Sequence, residues 1–328
     1  MTLDQLKQLN TSLHLDFIRE KIPTRNGYGD GLLELGRKNK NVMVLCADLT
    51  ESTRVEKFQK AFPQRFVEIG VAEQNLVTVA SGLAAMGKIP FASSYACFCP
   101  GRCWEQIRTT ICYNNCNVKI IGAHAGVSVG PDGATHQMLE DLALMRSLPN
   151  MIVVVPADYE QTKKATHALA DYKGPAYMRF AREKTAQVTT TKTPFQIGKA
   201  QILKKGKDIA LIGAGPVVYE CLQAALLLQE KGVNAMVINC HTIKPLDKNI
   251  ILSAAKTCKK IITVEEAQIT GGLGGAVSEF LSEVHPTPIH RIGVRDHYGE
   301  SGNPEELLKK FGFSAEHIAR QAANILRR

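Results

Sequence analysis

The chain has 328 residues, 45% of them hydrophobic and 22% charged, which fits a soluble globular protein with room for two domains and excludes a disordered tail protein. A net charge of +9 favours phosphorylated ligands or simply solubility, while aromatics at 6% and the lack of a long basic block with interleaved aromatics argue against nucleic-acid binding. The first thirty residues carry Asp4, Glu20 and Asp30 without an apolar run, and no stretch reaches the roughly 18 apolar residues of a membrane span, so neither a secretory signal nor a membrane segment is read and a cytoplasmic location is expected.

Early in the chain, Gly29-Asp30-Gly31 matches the start of the motif that holds a metal and a diphosphate in thiamine enzymes. That motif should follow a strand and needs an Asn about 25 to 30 residues later. Residues 58–62 supply no Asn, and the triplet precedes its strand, so it reads as a helix start. Short apolar runs then recur at 42–47, 65–69, 89–95, 118–123, 151–156 and 176–180. Helical periodicity lies between them at 72–86, 101–113, 138–146 and 159–172. This alternation predicts a parallel α/β sheet with helices on both faces, occupying residues 1–190.

Nine cysteines cannot all pair internally, and a reducing compartment is expected. Cys97, Cys99, Cys103, Cys112 and Cys116 cluster without the C-x-x-C pairs of zinc ribbons and sit among Trp104, Ile107 and Ile111. They read as small buried hydrophobes.

The chain turns polar and Thr-rich from Glu183 to Ala200, which reads as a connector with the linker proper at 191–200. A smaller α/β domain is expected over 201–328. Its strands fall at 209–213, 235–239, 260–264 and 289–294, and its helices at 218–231, 247–257, 273–284 and 305–311. The two series differ in strand number and spacing, so no internal repeat is read. Gly213-Ala214-Gly215-Pro216 lacks the third Gly and the acid of a dinucleotide fingerprint. Gly271-Gly272-Leu273-Gly274-Gly275 reads as close packing at a strand-to-helix turn.

Two stretches carry candidate chemistry. In Gly70-Val71-Ala72-Glu73-Gln74-Asn75 an acid opens an otherwise apolar helix. It reads either as complement to the helix dipole or, if the helix is buried at an interface, as a desolvated carboxyl able to share a proton at neutral pH. The loop from His124 to Gln137 carries two imidazoles, Asp132 and three glycines; glycines let backbone approach a ligand, and His and Asp bond hydroxyls and move protons.

These stretches, with Ala47-Asp48-Leu49-Thr50, Arg146-Ser147-Leu148-Pro149-Asn150 and Pro156-Ala157-Asp158, resemble the C-terminal half of transketolase from about Arg25 to the end. The family's N-terminal diphosphate-binding domain, whose GDG and Asn bind the metal, has no counterpart in the chain. The resemblance is therefore to the smaller subunit of a two-chain transketolase, and implies a pyrimidine-binding domain followed by a smaller transketolase C-terminal domain. It implies thiamine diphosphate as cofactor, with Mg²⁺ or Ca²⁺ on an N-terminal partner subunit, self-association as α2β2, and sugar phosphates of the pentose phosphate pathway as substrates.

Carried over by motif, Glu73 matches the glutamate that bonds N1′ of the cofactor's aminopyrimidine. Phe98 matches the ring stacked on it, with Tyr95 beside it, and Asp48 and Leu49 match residues approaching the cofactor across a subunit interface. The third aromatic position of the pocket falls at Gly101, a departure that leaves one wall undefined. Arg25, Ser52, His124, Asp132 and Arg182 match sugar-phosphate contacts, and His136 the histidine nearest the reacting carbonyl. Apart from the resemblance, two arginines and a hydroxyl suit an anionic oxygen cluster, with Arg179 a competing candidate. The β-subunit of 2-oxo acid dehydrogenases, deoxyxylulose-phosphate synthase and a non-catalytic transketolase-like scaffold are the alternatives.

Overall fold

The computed structural model describes residues 21–327. The first half contains β1 (Lys21–Pro23), β2 (Val42–Cys46), β3 (Phe66–Glu68), β4 (Ile89–Tyr95), β5 (Lys119–Ala123), β6 (Ile152–Val154), β7 (Ala176–Phe180) and β8 (Lys184–Ala186). The second contains β9 (Gln201–Lys204), β10 (Ile209–Ala214), β11 (Ala235–Asn239), β12 (Thr242–Lys244), β13 (Ile261–Gln268) and β14 (Ile289–Val294). A seven-stranded sheet runs β12-β6-β7-β5-β4-β2-β3 and a five-stranded sheet β14-β13-β10-β11-β9. All pairs within the first are parallel except β12 with β6, and all in the second except β9 with β11. Every residue of β5, β7, β10 and β11 is buried, as strands covered by helices on both faces require.

The α/β alternation expected from sequence is present in both halves, with differences of physical interest. Gly29-Asp30-Gly31 is not a helix start. It lies inside the helix Thr24–Lys38, because the glycines there serve packing: a Cβ at Gly27 would lie 2.2 Å from the Tyr159 carbonyl oxygen of the facing helix Tyr159–Asp171. Asp30 itself accepts hydrogen bonds from Lys57 Nζ at 2.7 Å and the Tyr159 hydroxyl at 2.9 Å. The helix expected over 101–113 is a short turn, Trp104–Gln106, continued by a π-helical turn, Ile107–Cys112. Thr109 and Thr110 hydroxyls donate to the carbonyls of Glu105 and Gln106, and such back-bonding distorts a helical ladder. The helix expected from 138 starts at Asp141, because Met138 and Leu139 carbonyls are taken by Gly126 N–H and Gln268 N–H.

Cys99, Cys103 and Cys112 lie in one core with Ile107, Ile111 and Val118, while Cys97 and Cys116 are half-buried, and all nine thiols are free. Burial pushes the Cys97 and Cys112 thiols up to about 12, so both stay protonated at neutral pH. That core continues through Val153 into Ile212, Ile238 and Leu273, so the two sheets share one interior. At its centre Asp141 accepts from Tyr177 Oη at 2.7 Å and Arg179 at 3.0 Å, while Arg179 also donates to the Glu266 carbonyl oxygen at 2.6 Å. Arg179 therefore ties the halves together.

The connector is fastened along its length. Lys184–Ala186 pairs antiparallel with Lys21–Pro23, and the Asp158 carboxylate accepts from the Val188 N–H, the Thr189 N–H and the Thr189 hydroxyl. Three elements of the second half are not among those expected from the sequence: β9, the three-residue β12, and the closing helix Ala315–Arg327. At 271–275 the glycines do allow close packing. A Cβ at Gly272 would lie 2.0 Å from the buried Glu265 carboxylate, which accepts from the N–H groups of Leu273 and Gly274 at the start of the helix Leu273–Val284. Burial pushes the Glu265 carboxyl up to about 7 despite those bonds. No helix among the described residues is long and apolar enough to cross a membrane.

Candidate active site

In the seven-stranded sheet the chain runs from β2 outward to β3, then returns to the other side of β2 for β4 and continues to β5 and β7. That reversal makes a crevice beyond the carboxyl ends of β2 and β4, the usual place for a ligand in an open parallel sheet. The candidate residues gather there. Asp48, Leu49 and Ser52 follow β2, Glu73 follows β3, Tyr95 and Phe98 close β4, and the loop from His124 to His136 follows β5. Arg182 follows β7, and Arg25 enters from the first turn of the helix Thr24–Lys38.

Glu73 opens the helix Glu73–Ala85 and is only 1% exposed. Its carboxylate accepts from the Arg102 guanidinium at 2.6 Å, and the same guanidinium lies 4.9 Å over the Phe98 ring. Arg102 is absent from the residues read in the sequence. It is the cation one position beyond Gly101, the family's third aromatic position, and the first charge met in the thiol-rich stretch that begins at Cys97 is the signal that points to it.

Phe98 and Tyr95 stack with centroids 6.2 Å apart. Tyr95 lies 4.3 Å from the His124 ring, and His136 stands edge-on to Phe98 at 5.4 Å. The structure thus brings two aromatics and two imidazoles together. His136 Nδ1 lies 2.9 Å from the Thr135 hydroxyl. Asp48, at φ +57, donates its N–H to Glu68 at 2.7 Å, and Gly70 N–H and the Thr50 hydroxyl join the same carboxylate, so the β2 and β3 loops are clamped together. Leu49 packs against the core that holds Val44, Cys46 and Phe58, and its carbonyl accepts from Thr53.

The basic residues form a second group. Arg25 donates to the Ser52 carbonyl oxygen at 3.1 Å and lies 3.5 Å from His124 Nε2. Nδ1 of His124 is buried without a hydrogen-bond partner. Burial, with Arg25 and Arg182 adding repulsion, pushes His124 down to about 3, and the ring is neutral at working pH. Arg182 donates to Asp132 at 3.3 Å and to the Val129 carbonyl oxygen at 3.2 Å. Arg179 is not a competitor for this site, since its guanidinium is buried against Asp141. The 3₁₀ turn Val127–Asp132 is held from the other half of the chain. The Glu266 carboxylate accepts from Ser128 N–H at 2.6 Å, and Gln137 Nε2 bridges the carbonyls of Val127, Gly130 and Glu300.

A buried acid at a helix start, an adjacent aromatic face and an imidazole pair suit a planar, hydrogen-bonding ring with a polar substrate beside it. Comparison with known proteins agrees with that reading. The family model for the pyrimidine-binding domain of transketolase matches residues 20–187, and that for the transketolase C-terminal domain matches 198–318. The chain belongs to the transketolase family. Its relatives include a Methanocaldococcus jannaschii chain described as a transketolase C-terminal section, 47% identical over 90% of this chain and 94% of that one. One subunit of an apulose-4-phosphate transketolase from Phocaeicola vulgatus is 40% identical over 94% and 98% of the two chains. A 6-deoxy-6-sulfo-D-fructose transketolase subunit of a Clostridium species is 38% identical over 93% and 94%. Among solved structures, a split-gene transketolase described as an inactive β4 tetramer superposes with a TM-score of 0.88 at 44% identity, covering 93% of this chain and 99% of that one.

Proposed function

We propose that this chain is the C-terminal subunit of a two-chain transketolase, transferring a two-carbon ketol unit from a ketose phosphate to an aldose phosphate, and active only with a separate diphosphate-binding subunit. The observation that carries the reading is the buried Glu73 carboxylate beside Phe98 in the β2–β4 crevice, in a chain whose full-length relatives are named as sections or subunits. On this reading residues 1–190 are the pyrimidine-binding domain, 191–200 the linker and 201–328 the C-terminal domain.

The site fits thiamine diphosphate at its pyrimidine end, where a carboxyl and an aromatic face are needed together. When bound, the cofactor supplies the electron sink that stabilises the two-carbon fragment. Glu73 holds and relays a proton at N1′, Phe98 supports the ring face, Tyr95 closes its side, and Asp48 and Leu49 approach it across the interface. His136 takes or gives the proton at the reacting carbonyl. The neutral His124 offers a ring nitrogen to a sugar hydroxyl, while Arg25, Ser52 and Arg182 orient the anionic end of the sugar and Asp132, as a substrate contact, also accepts from Arg182. Mg²⁺ or Ca²⁺ and the diphosphate then belong to the N-terminal subunit. Val71 and Met86, flanking the two ends of the helix Glu73–Ala85, and Tyr113 are exposed apolar residues, at 70%, 77% and 87%, available to that partner and to α2β2 assembly.

The test is reconstitution. The purified chain with thiamine diphosphate, Mg²⁺ and sugar phosphates is expected to show no turnover, and transfer is expected once a partner carrying the GDG and Asn ligands is added. Sustained turnover by the chain alone overturns the reading.

A further inference from the structure

Arg54 lies two residues past Ser52 and is not among the residues assigned to the substrate. Its backbone sits in the left-handed region at φ +65. A non-glycine residue held there is strained by order of 1–3 kcal/mol and persists only where its surroundings over-determine it. The surroundings here do so: Arg54 N–H donates to the Glu51 carbonyl at 3.1 Å, and Gly29 packs so close that a Cβ on it would lie 2.4 Å from the Arg54 carbonyl oxygen. Asp48 and His124, at φ +57 and +55, are left-handed in the same site.

The side chain adds a second observation. Nε of Arg54 and Nε of Arg25 are both buried without a hydrogen-bond partner, and Arg54 forms no ion pair among the described residues. It borders a cleft of about 210 Å³ shared with Asn26, Asp30, Glu56 and Lys57, in which Asp30 is already engaged by Lys57 and Tyr159. Arg25 is pushed down from the ordinary guanidinium range by burial, then by the charges of Arg54 and Arg182. Arg25 lies 3.5 Å from the neutral His124, and the charges of Arg182 and Arg54 bear on the same ring. Of the three arginines, Arg182 alone makes ion pairs among the described residues, with Asp132 at 3.3 Å and Glu183 at 3.9 Å. Like charges gathered with unmet donors repel one another until an anion joins them.

We propose that Arg54 is a third guanidinium of the anion site, acting with Arg25 and Arg182, and that the set favours a doubly charged terminus such as a phosphate dianion over a singly charged sulfonate. This rests on the sugar-binding role proposed above for Arg25 and Arg182. A dianion exchanges charge-assisted bonds with all three cations, whereas a monoanion leaves more of their mutual repulsion unbalanced.

Arg54→Asn is the informative variant, because Asn tolerates the left-handed conformation and the fold is retained. Arg54→Lys restores charge without the planar fork. The full chain is titrated with inorganic phosphate and with methanesulfonate near pH 8, followed by calorimetry. Arg54→Asn should weaken phosphate by about ten- to a hundredfold and methanesulfonate by less, the scale of one charge-assisted contact, with Arg54→Lys between it and the parent. In the reconstituted enzyme, kcat/KM for a ketose phosphate relative to a sulfonated ketose should fall by a similar factor. Unchanged phosphate affinity in Arg54→Asn, or an equal loss for both anions, overturns the proposal. Absence of ketol transfer in the reconstituted parent overturns the proposed function instead, while the phosphate titration still decides the role of Arg54.

Discussion

The Arg102 guanidinium donates to the Glu73 carboxylate at 2.6 Å while resting 4.9 Å above the Phe98 ring, so one cation touches both groups proposed to receive the aminopyrimidine. Arg102 is 48% exposed and Glu73 almost wholly buried, which makes the arginine the movable partner. Arg102→Ala leaves a buried carboxylate without its strongest donor. A loss of about 1–3 kcal/mol is expected at neutral pH, the penalty for an unmet buried acceptor, measured by urea unfolding of the isolated chain. A loss within error would mean that water replaces the guanidinium at no cost.

Glu73→Gln keeps the shape of the side chain and an oxygen that still accepts from Arg102, so folding and assembly should survive. The amide cannot relay a proton. Exchange of the cofactor C2 proton in the reconstituted complex should fall by about 10²–10⁴-fold, the usual contribution of a positioned acid or base. Near-normal exchange would remove Glu73 from the proposed role.

Arg182→Ala should weaken phosphorylated donors by roughly ten- to a hundredfold in kcat/KM while affecting an unphosphorylated donor such as hydroxypyruvate much less. Its bonds to Asp132 and to the Val129 carbonyl also brace the turn Val127–Asp132. A structural role alone would lower both donors equally, and steady-state kinetics on the two separates these outcomes.

His124 gives a pH signature. The folded chain keeps this ring neutral down to about pH 3, whereas in the unfolded chain it protonates near its ordinary value of 6.5. Its contribution is complete above pH 6.5 and is lost as the pH falls toward 3, by at most about 1.4 kcal/mol per unit. His241, pushed down to about 4 by burial, adds a slope of the same sign. Wild type minus His124→Gln in urea midpoints between about pH 7.5 and 4.5 isolates the His124 share; parallel curves would mean that acid reaches the ring in the folded chain.

The strands of both sheets, β9 and β12 excepted, were legible because they are apolar runs with helices between, and the crevice was legible because its residues fall just after strand ends. Legibility failed where side chains compete with the backbone or where a contact is long-range. Thr109 and Thr110 disturb the helical period after Trp104. The helix Thr24–Lys38 hides behind Gly27, Gly29 and Gly31, which look like turn residues until the helix Tyr159–Asp171 is seen against Gly27 and Gly31 and the Arg54 backbone against Gly29. Arg102 and Arg54 carry no periodicity at all. Their significance lies in Glu73, 29 positions away in the first case, and in the backbone of Gly29 in the second.

The pairing of Thr242–Lys244 with Ile152–Val154 means that the second half of the chain supplies the terminal strand of the first sheet. Cutting the gene between the halves would strip that sheet of its covering strand and present a bare, apolar edge to other chains, so separately expressed halves should aggregate. Proteolytic nicking near Thr191, by contrast, should yield fragments that migrate as one particle until denaturant is added, since β12 and the shared interior bind them without the peptide link.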